Sequence, residues 1–189
     1  MSGAPGSGKS TVADLLTKSI DAVVISHDLI KTFFLENGIF FDQASKLTYR
    51  FHWILAEDMI KQGRSVIIDS TCNFDETLDQ GTALARQYGY DYKYVEHKVN
   101  DINLLDQTIR SRALMRSQRR DVNHPPPDAD DTLHGEDRRA LCKGWIKSPY
   151  CPANNTIIVN SAGSPEECLD YIMKWIITPA VNQQGIGKS

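Results

Sequence analysis

The chain has 189 residues, of which 41% are hydrophobic and 24% are charged, and its formal net charge is −3. This length and composition are typical of one globular domain with a real core, and they leave too little chain for a second one. The charge excludes a general basic surface for non-specific nucleic-acid binding, and no run approaches the ~18 apolar residues that a membrane span needs.

Cysteine usage and the N-terminal residues indicate the compartment. The cysteines are scattered, with no C-x-x-C pair and no neighbouring histidine pattern, which favours reduced packing residues over a metal site. No basic segment followed by an apolar one opens the chain, so we expect no secretory signal. We therefore predict a cytoplasmic protein and leave a nuclear location open. The cysteines concerned are Cys72, Cys142, Cys151 and Cys168.

Apolar residues alternate along the chain between helical spacing, which predicts helices, and short continuous runs, which predict buried strands. The long second helix, for example, rests on Leu47, Phe51, Leu55 and Met59 at steps of four. In chain order we predict a helix at 9–20, a strand at 22–26, a long helix ending near 63, a strand at 65–68, a helix at about 74–88, a strand at 91–98, a helix at 102–112, a strand at 156–159 and a final helix from 165.

Two of the predicted helices begin with capping signals. Asn73 stands three residues before Glu76, ahead of the helix at 74–88. The capping signals of the final helix are clearer, with Ser164 as its N-cap, Pro165 at its first position and Glu167 completing a capping box.

Strands that alternate with helices predict an α/β fold, in which a parallel sheet is covered by helices on both faces. We predict a single domain over residues 1–178. Within it, residues 113–135 are arginine- and proline-rich and predict a mobile, exposed connection without a helix or strand. Residues 179–189 form a tail.

A phosphate-binding loop is the strongest motif in the chain. Residues 3–10 match the pattern G-x-x-x-x-G-K-[ST] without a mismatch. Its glycines let successive N–H groups turn inward around a β-phosphate, where a Cβ would obstruct them. Lys9 then reaches the β/γ oxygens and Ser10 offers a hydroxyl to Mg²⁺, at the positive end of a helix. The loop predicts ATP and Mg²⁺ as cofactors, bound by Gly3, Ala4, Pro5, Gly6, Ser7, Gly8, Lys9, Ser10 and Thr11.

The sequence before this loop is unusually short, because only Met1 and Ser2 stand where a buried strand normally lies. We expect the first strand to be missing or truncated, through a mis-assigned start or a shortened chain, or another segment to fill its place. The full product would then begin with several more apolar residues, or this chain would be poorly folded and weakly active. A second near-match at residues 182–189 lacks a strand and a helix, and we interpret it as coincidence.

Two aspartates follow predicted strands, at the sheet edge where doubly wound folds bind ligands. Asp28 comes two residues after one strand, and Asp69 ends the next. Phosphoryl transfer needs a carboxylate near the acceptor hydroxyl and often another in the Mg²⁺ shell. Asp28 suits the first role and Asp69, together with Ser10, the second. The alternatives are an N-cap for Asp28 and a turn residue for Asp69.

Five arginines cluster after the predicted helix at 102–112. A solvated face is one interpretation, and a lid that closes over the transferring phosphate is the one we favour, because cations there offset charge on the γ-phosphate. Arg110 and Arg116 are the best candidates for this role. The full cluster is Arg110, Arg112, Arg116, Arg119 and Arg120.

Histidines and paired phenylalanines give weaker signals. The histidines have no ligand spacing, so we predict surface or capping roles for them. The pairs at 33–34 and 40–41 either pack in the core, which we favour, or shield an acceptor pocket or stack on a base. The histidines are His27, His52, His97, His124 and His134.

Several of these segments resemble the kinase module of phage polynucleotide 5′-hydroxyl kinase and its AAA-type relatives among small P-loop kinases. The resemblance runs from Gly3 to about Arg116, with a weaker echo at 160–167. It is carried by the phosphate loop, by Ser26-His27-Asp28, and by the segment from Ile68 to Asn73.

The resemblance implies the strand order 2-3-1-4-5, Asp28 as the general base, and Arg110 and Arg116 as lid arginines. The family usually has a phosphate-contacting arginine three residues after the base, and this chain has Lys31 there. Lysine keeps the charge but loses the bidentate fork of arginine.

These features predict an ATP-dependent phosphotransferase that moves the γ-phosphate to a hydroxyl, with a polynucleotide or nucleotide 5′-hydroxyl as the leading acceptor. The predicted catalytic residues are Lys9, Asp28, Arg110 and Arg116. One alternative is a small-molecule kinase acting on a sugar, an antibiotic or a metabolite. A second alternative is an ATP-binding module with little turnover.

Overall fold

The computed structural model describes residues 1–71, 75–129, 137–147, 151–152 and 155–177. None of the described helices is long and apolar enough to cross a membrane. The described strands are Ser2–Gly3 (β1), Ala22–Ser26 (β2), Ser65–Asp69 (β3), Tyr94–Lys98 (β4) and Thr156–Asn160 (β5), and the described helices are Lys9–Ile20 (α1), His27–Glu36 (α2), Phe41–Lys61 (α3), Asp75–Tyr88 (α4), Ile102–Ser111 (α5), Arg138–Lys147 (α6) and Pro165–Ile177 (α7).

The predicted alternation of strands and helices is confirmed, because the signals that produced it are local. The capping box of α7 is present: the Ser164 N–H donates to Glu167 Oε2 at 2.9 Å, and the Glu167 N–H donates to Ser164 Oγ at 3.2 Å. The predicted cap of α4, Asn73 with Glu76, lies outside the described residues and side chains.

The strands pair in parallel, as predicted. One ladder joins β2 to β3, and the other has the order β1-β4-β5. Met1 links the two ladders, because its amino group donates to Ile68 O at 2.6 Å and its carbonyl accepts from the Ser70 N–H at 3.2 Å. The strands therefore follow the order 2-3-1-4-5 that the family resemblance implied.

Helices flank this sheet and build the main core with it. α1 packs against α7, α3 packs against β2 and β3, and α4 packs against α3. The main cluster of buried residues comes from α1, α7 and the strands: Val12, Ala13, Leu16, Ala22, Ile67, Val95, Ile157, Val159, Cys168 and Ile172.

The central strand β1 is present but has only two residues. It pairs with β4 through Ser2 and Gly3, opposite Glu96 and His97. Beyond Met1, a cavity of about 400 Å³ lies between β3 and β4, and its walls include Ile67, Val95 and Trp53. The first strand is therefore short, as the sequence indicated, and Met1 bridges β3 and β1 at the loop end of the sheet.

A designed apolar strand should fill this cavity and stabilise the fold. Burying a large apolar side chain gives ~1.5–3 kcal/mol, and ordering each residue costs ~1–2 kcal/mol. Joining about five apolar residues to Met1 should therefore give a small net gain, which raises the Tm by about 5 °C. The measurement is thermal unfolding, with a Gly/Ser extension of equal length as the control. Equal melting of all three chains would show that the cavity needs no strand.

The helix α2 begins two residues earlier than the N-cap role for Asp28 requires. Ser26 is the N-cap, and its Oγ accepts from the Leu29 N–H at 3.3 Å. Asp28 lies inside the first turn, where a carboxylate interacts favourably with the helix dipole. The alternative interpretation of Asp28 as a cap is therefore wrong, and its side chain is available for other contacts.

The connection at 113–135 differs from the prediction in its packing. Residues 113–129 contain no helix or strand, as expected, but Ser117, Arg119, Asp121 and Val122 are buried. The Arg119 guanidinium donates to Val122 O at 3.1 Å, and Asp106 Oδ1 accepts from the Val122 N–H at 3.0 Å. The prediction of an exposed connection is wrong here, because local polarity does not reveal these long-range partners. The helix α6 after it was not predicted, and residues 130–135 lie outside the described part.

Candidate functional site

The phosphate loop surrounds an open space at the start of α1. Gly8 is the N-cap of α1, with φ of +81° and no side-chain cap bond. A Cβ on Gly8 would meet no atom within 4 Å, whereas a Cβ on Gly6 would lie 2.9 Å from Leu105 O. Gly6 therefore allows α5 to pack behind the loop, and the space at Gly8 leaves the first N–H groups of the helix open to a phosphate.

Lys9 lies at the base of this space and is 9% exposed. Burial lowers the pKa of His97 to about 3, and the Lys9 charge adds to that effect. Burial raises the pKa of Glu96, and the Lys9 charge opposes the change. The ammonium therefore lies near the end of β4 as well as the loop, where an anionic ligand would gain from its positive charge.

Ser10 and Asp69, the predicted metal residues, differ in their surroundings. Ser10 is exposed in the first turn of α1. Asp69 ends β3 and is 6% exposed, and its buried Oδ1 has no hydrogen-bond partner among the residues that the structure describes. An orphaned buried carboxylate oxygen is costly unless a ligand satisfies it. Within the described ranges the Oγ of Ser7 is likewise buried and unpartnered, so these oxygens fit a bound Mg²⁺ and its phosphates.

Asp28 lies in the first turn of α2 and is partly exposed. Gln118 Nε2 donates to its Oδ2 at 2.6 Å, across 90 residues of sequence. The charge of Asp28 acts on Lys31, one turn further along the same helix. The candidate base is thus held by the connection after α5 and lies beside a cation.

Lys31 is buried, although the sequence indicated only a charge at this position. Its Nζ lies 3.4 Å from the centroid of the Phe41 ring. Burial lowers the pKa of Lys31 to about 8, while the carboxylates of Asp28 and Asp42 oppose the change. Lys31 is therefore mostly charged at neutral pH, in a place where its cation is poorly solvated.

The prediction of surface or capping histidines is wrong for three of them. His27, His52 and His97 are all buried, and only His124 among the described histidines is exposed. The rings of His27 and His52 lie 5.0 Å apart, and burial lowers their pKa values to about 3 and about 4. These two rings are neutral at neutral pH and pack against each other.

The two predicted lid arginines form ion pairs outside the phosphate loop. Arg110 contacts Asp106 at 2.8 Å and Asp121 at 2.9 Å. Arg116 contacts Asp128 through two hydrogen bonds of 2.6 and 2.8 Å. None of these partners belongs to the loop or to α2. Among the described contacts, neither Arg110 nor Arg116 pairs with Lys9 or Asp28, and their catalytic role stays a prediction.

Sequence reasoning missed two residues that lie near Asp28. Gln118 contacts its carboxylate directly, and Arg112 lies within reach of its charge. Burial lowers the pKa of Arg112, and Asp28 opposes the change. The buried Arg112 Nε has no hydrogen-bond partner in the described part of the chain. Arg112 stood in the predicted cluster without being singled out, and no sequence pattern distinguishes Gln118.

Two other predictions have mixed outcomes. Core packing is wrong for Phe33 and Phe40, which are 60% and 83% exposed. Cys142 and Cys168 are buried free thiols, as a packing role requires. Cys72, Asn73 and His134, with the tail at 179–189, lie outside the described residues.

The family comparison extends over most of the chain. Residues 1–129 match the model of a family described as AAA domain. This range covers the phosphate loop, both candidate aspartates and Gln118. No curated protein sequence matches the chain significantly.

Solved structures with the same fold include several kinases. A sugar kinase from Janibacter sp. HTCC2649 is 15% identical, with a TM-score of 0.61 over 92% of this chain and 90% of that one. A protein from Chloroflexus aurantiacus J-10-fl, whose kinase assignment is provisional, is 15% identical, with a TM-score of 0.64 over 90% and 92%. A gluconokinase from Sinorhizobium meliloti 1021 is 14% identical, with a TM-score of 0.54 over 92% and 87%.

At these identities the likeness concerns the fold alone. The predicted P-loop kinase architecture is confirmed at the level of family and fold. The finer resemblance to polynucleotide kinases is not supported by these comparisons.

Proposed function

We propose that this chain, which belongs to the AAA domain family, is an ATP- and Mg²⁺-dependent kinase that phosphorylates a hydroxyl group of a small molecule. The observation that carries the proposal is the phosphate loop, with open space at Gly8 and Lys9 buried at its base. A loop of this kind binds the β- and γ-phosphates of a nucleotide through backbone N–H groups and the lysine.

The proposed reaction assigns separate roles to Lys9 and Asp28. The acceptor hydroxyl gives its proton to the Asp28 carboxylate while its oxygen bonds to the γ-phosphorus. The bond from that phosphorus to the β–γ bridging oxygen breaks, and ADP leaves with the electron pair. Lys9 offsets the negative charge on the phosphate oxygens. Mg²⁺, when bound, neutralises phosphate charge, and Ser10 and Asp69 would hold it.

The small-molecule acceptor, the alternative in our sequence analysis, has better support than the polynucleotide that we placed first. The sugar kinase and the gluconokinase share the fold over nearly the whole chain. The net charge of −3 also provides no general basic surface for a polyanion.

A panel of acceptors tests this choice. Purified protein with γ-labelled ATP and Mg²⁺ is incubated with sugars, sugar acids, polyols and aminoglycosides in one arm, and with a 5′-hydroxyl oligonucleotide in the other. We expect label transfer to a small compound and none to the oligonucleotide. Transfer to the oligonucleotide alone would reverse the acceptor assignment and keep the kinase chemistry.

Variants of the two predicted lid arginines and of Asp128 distinguish a role on the phosphate from a role in the ion pairs. Arg116→Ala and Arg110→Ala should each slow phosphoryl transfer by at least about tenfold if these side chains reach the phosphate during the reaction. Asp128→Asn frees Arg116 from its partner, and it should leave kcat unchanged or raise it. Steady-state kcat at saturating ATP is the measurement.

The Asp128→Asn variant decides whether Arg116 acts on phosphate or only in its ion pair. Equal losses in Arg116→Ala and Asp128→Asn would show that the ion pair matters and that the arginine does not act on phosphate. Thermal unfolding should change little in either variant, because exposed ion pairs contribute little to stability.

A further inference from the structure

Residues 115–118 attach the connection after α5 to the first two turns of α2, and we call this segment the latch. The Ser117 Oγ donates to Asp28 O at 2.9 Å, and the Ser117 N–H donates to Thr32 Oγ1 at 3.3 Å. The Thr32 hydroxyl in turn donates to Ser117 Oγ at 3.0 Å. Ser117 is 6% exposed, so these bonds lie largely out of water. The latch therefore fixes Gln118 relative to the helix that carries Asp28.

The side chain of Gln118 is itself fixed at both ends of its amide. Its Oε1 accepts from the Met115 N–H at 3.3 Å, and its Nε2 donates to Asp28 Oδ2 at 2.6 Å. A backbone N–H can only donate and an ionised carboxylate can only accept, so these partners determine which way the amide points. The short distance is typical of a charge-assisted hydrogen bond.

Because of this contact, the two carboxylate oxygens of Asp28 differ in their hydrogen bonding. Among the described residues, Oδ2 accepts from Gln118, and no hydrogen bond is formed by Oδ1. We infer that Gln118 is a positioning residue, which holds Oδ2 so that Oδ1 faces the acceptor hydroxyl and takes its proton. This inference rests on the proposed kinase function and adds a residue to its site.

The charges around Asp28 are consistent with this arrangement. Lys31 on α2 and Arg112 at the end of α5 both interact electrostatically with Asp28. Gln118 is the neutral group that contacts the Asp28 carboxylate. A neutral donor restrains the carboxylate without adding another positive charge beside it.

The test compares four proteins: wild type, Gln118→Leu, Asp28→Asn and the double variant. Gln118→Leu removes the donor and should lower kcat about tenfold or more, the range for a hydrogen bond to a charged group, with the KM for ATP unchanged. In the Asp28→Asn background the same change should cause no further loss, because Gln118 acts through Asp28. Gln62→Leu is the matched control, since Gln62 makes the same kind of bond to Asp58 at 2.8 Å on α3.

Each outcome is decisive. Unchanged kcat in Gln118→Leu, or losses that multiply in the double variant, would overturn the positioning role. Normal turnover in Asp28→Asn would instead overturn the proposed base, so the two failures are distinguishable. Gln118→Met, which keeps the length and lacks the donor, replaces Gln118→Leu if the latter unfolds early.

Discussion

Replacing Lys9 by alanine is expected to abolish phosphoryl transfer, with a loss of at least about 10²–10³-fold in kcat. The ammonium lies at the base of the phosphate loop, and it is 9% exposed. Its charge also acts on His97 and Glu96 of β4. A phosphate in this space gains electrostatic stabilisation from this cation.

Lys18→Ala is the control for Lys9→Ala, because Lys18 is an exposed lysine in the last turn of the same helix. ATP binding and turnover are measured for both variants. We expect Lys18→Ala to match the wild type and Lys9→Ala to lose turnover and bind ATP weakly. Near-normal turnover without Lys9 would remove the phosphate-loop assignment.

Replacing Asp28 by asparagine should lower kcat by at least the ~10²-fold typical of a lost general base, with ATP affinity little changed. Asparagine has nearly the same shape, and its carbonyl oxygen still accepts from Gln118, so the contact to the latch is retained. The variant therefore removes the proton acceptor and leaves the fold in place.

Asp14→Asn is the control for Asp28→Asn, since Asp14 is an exposed carboxylate on α1 and its loss changes the net charge equally. Initial rates at saturating ATP and nucleotide binding are measured side by side. Loss of ATP binding in Asp28→Asn would instead make this residue a structural part of the site.

Much of the fold was predictable because it rests on local signals. The glycine loop, the α7 capping box and the apolar runs of β2, β3 and β5 are each read from a few adjacent residues. The family resemblance supplied the strand order, which no local pattern contains. Met1 could not be predicted to join the two ladders, because its bonds to β3 depend on the assembled sheet.

The site was less predictable, since its contacts join distant parts of the chain. Residues Asp28 and Gln118 are 90 positions apart, and no spacing rule connects them. The buried face of α3 was also not predictable. The spacing of Leu47 and Phe51 predicted the helix, but the residues on its buried face include Thr48 and His52. Polar side chains on a buried face escape a search for apolar stripes, and three buried histidines were therefore assigned to the surface.

Product analysis of the wild-type protein tests the central claim most directly. Protein, ATP, Mg²⁺ and the active acceptor from the panel are followed by ³¹P NMR, which separates ADP, inorganic phosphate and a phosphate ester. If the protein is a kinase that uses Lys9 and Asp28, we expect ADP and phosphate ester in equal amounts, and both signals should be lost in Lys9→Ala. ADP accompanied only by inorganic phosphate, or ATP bound without turnover across the whole panel, would contradict the account.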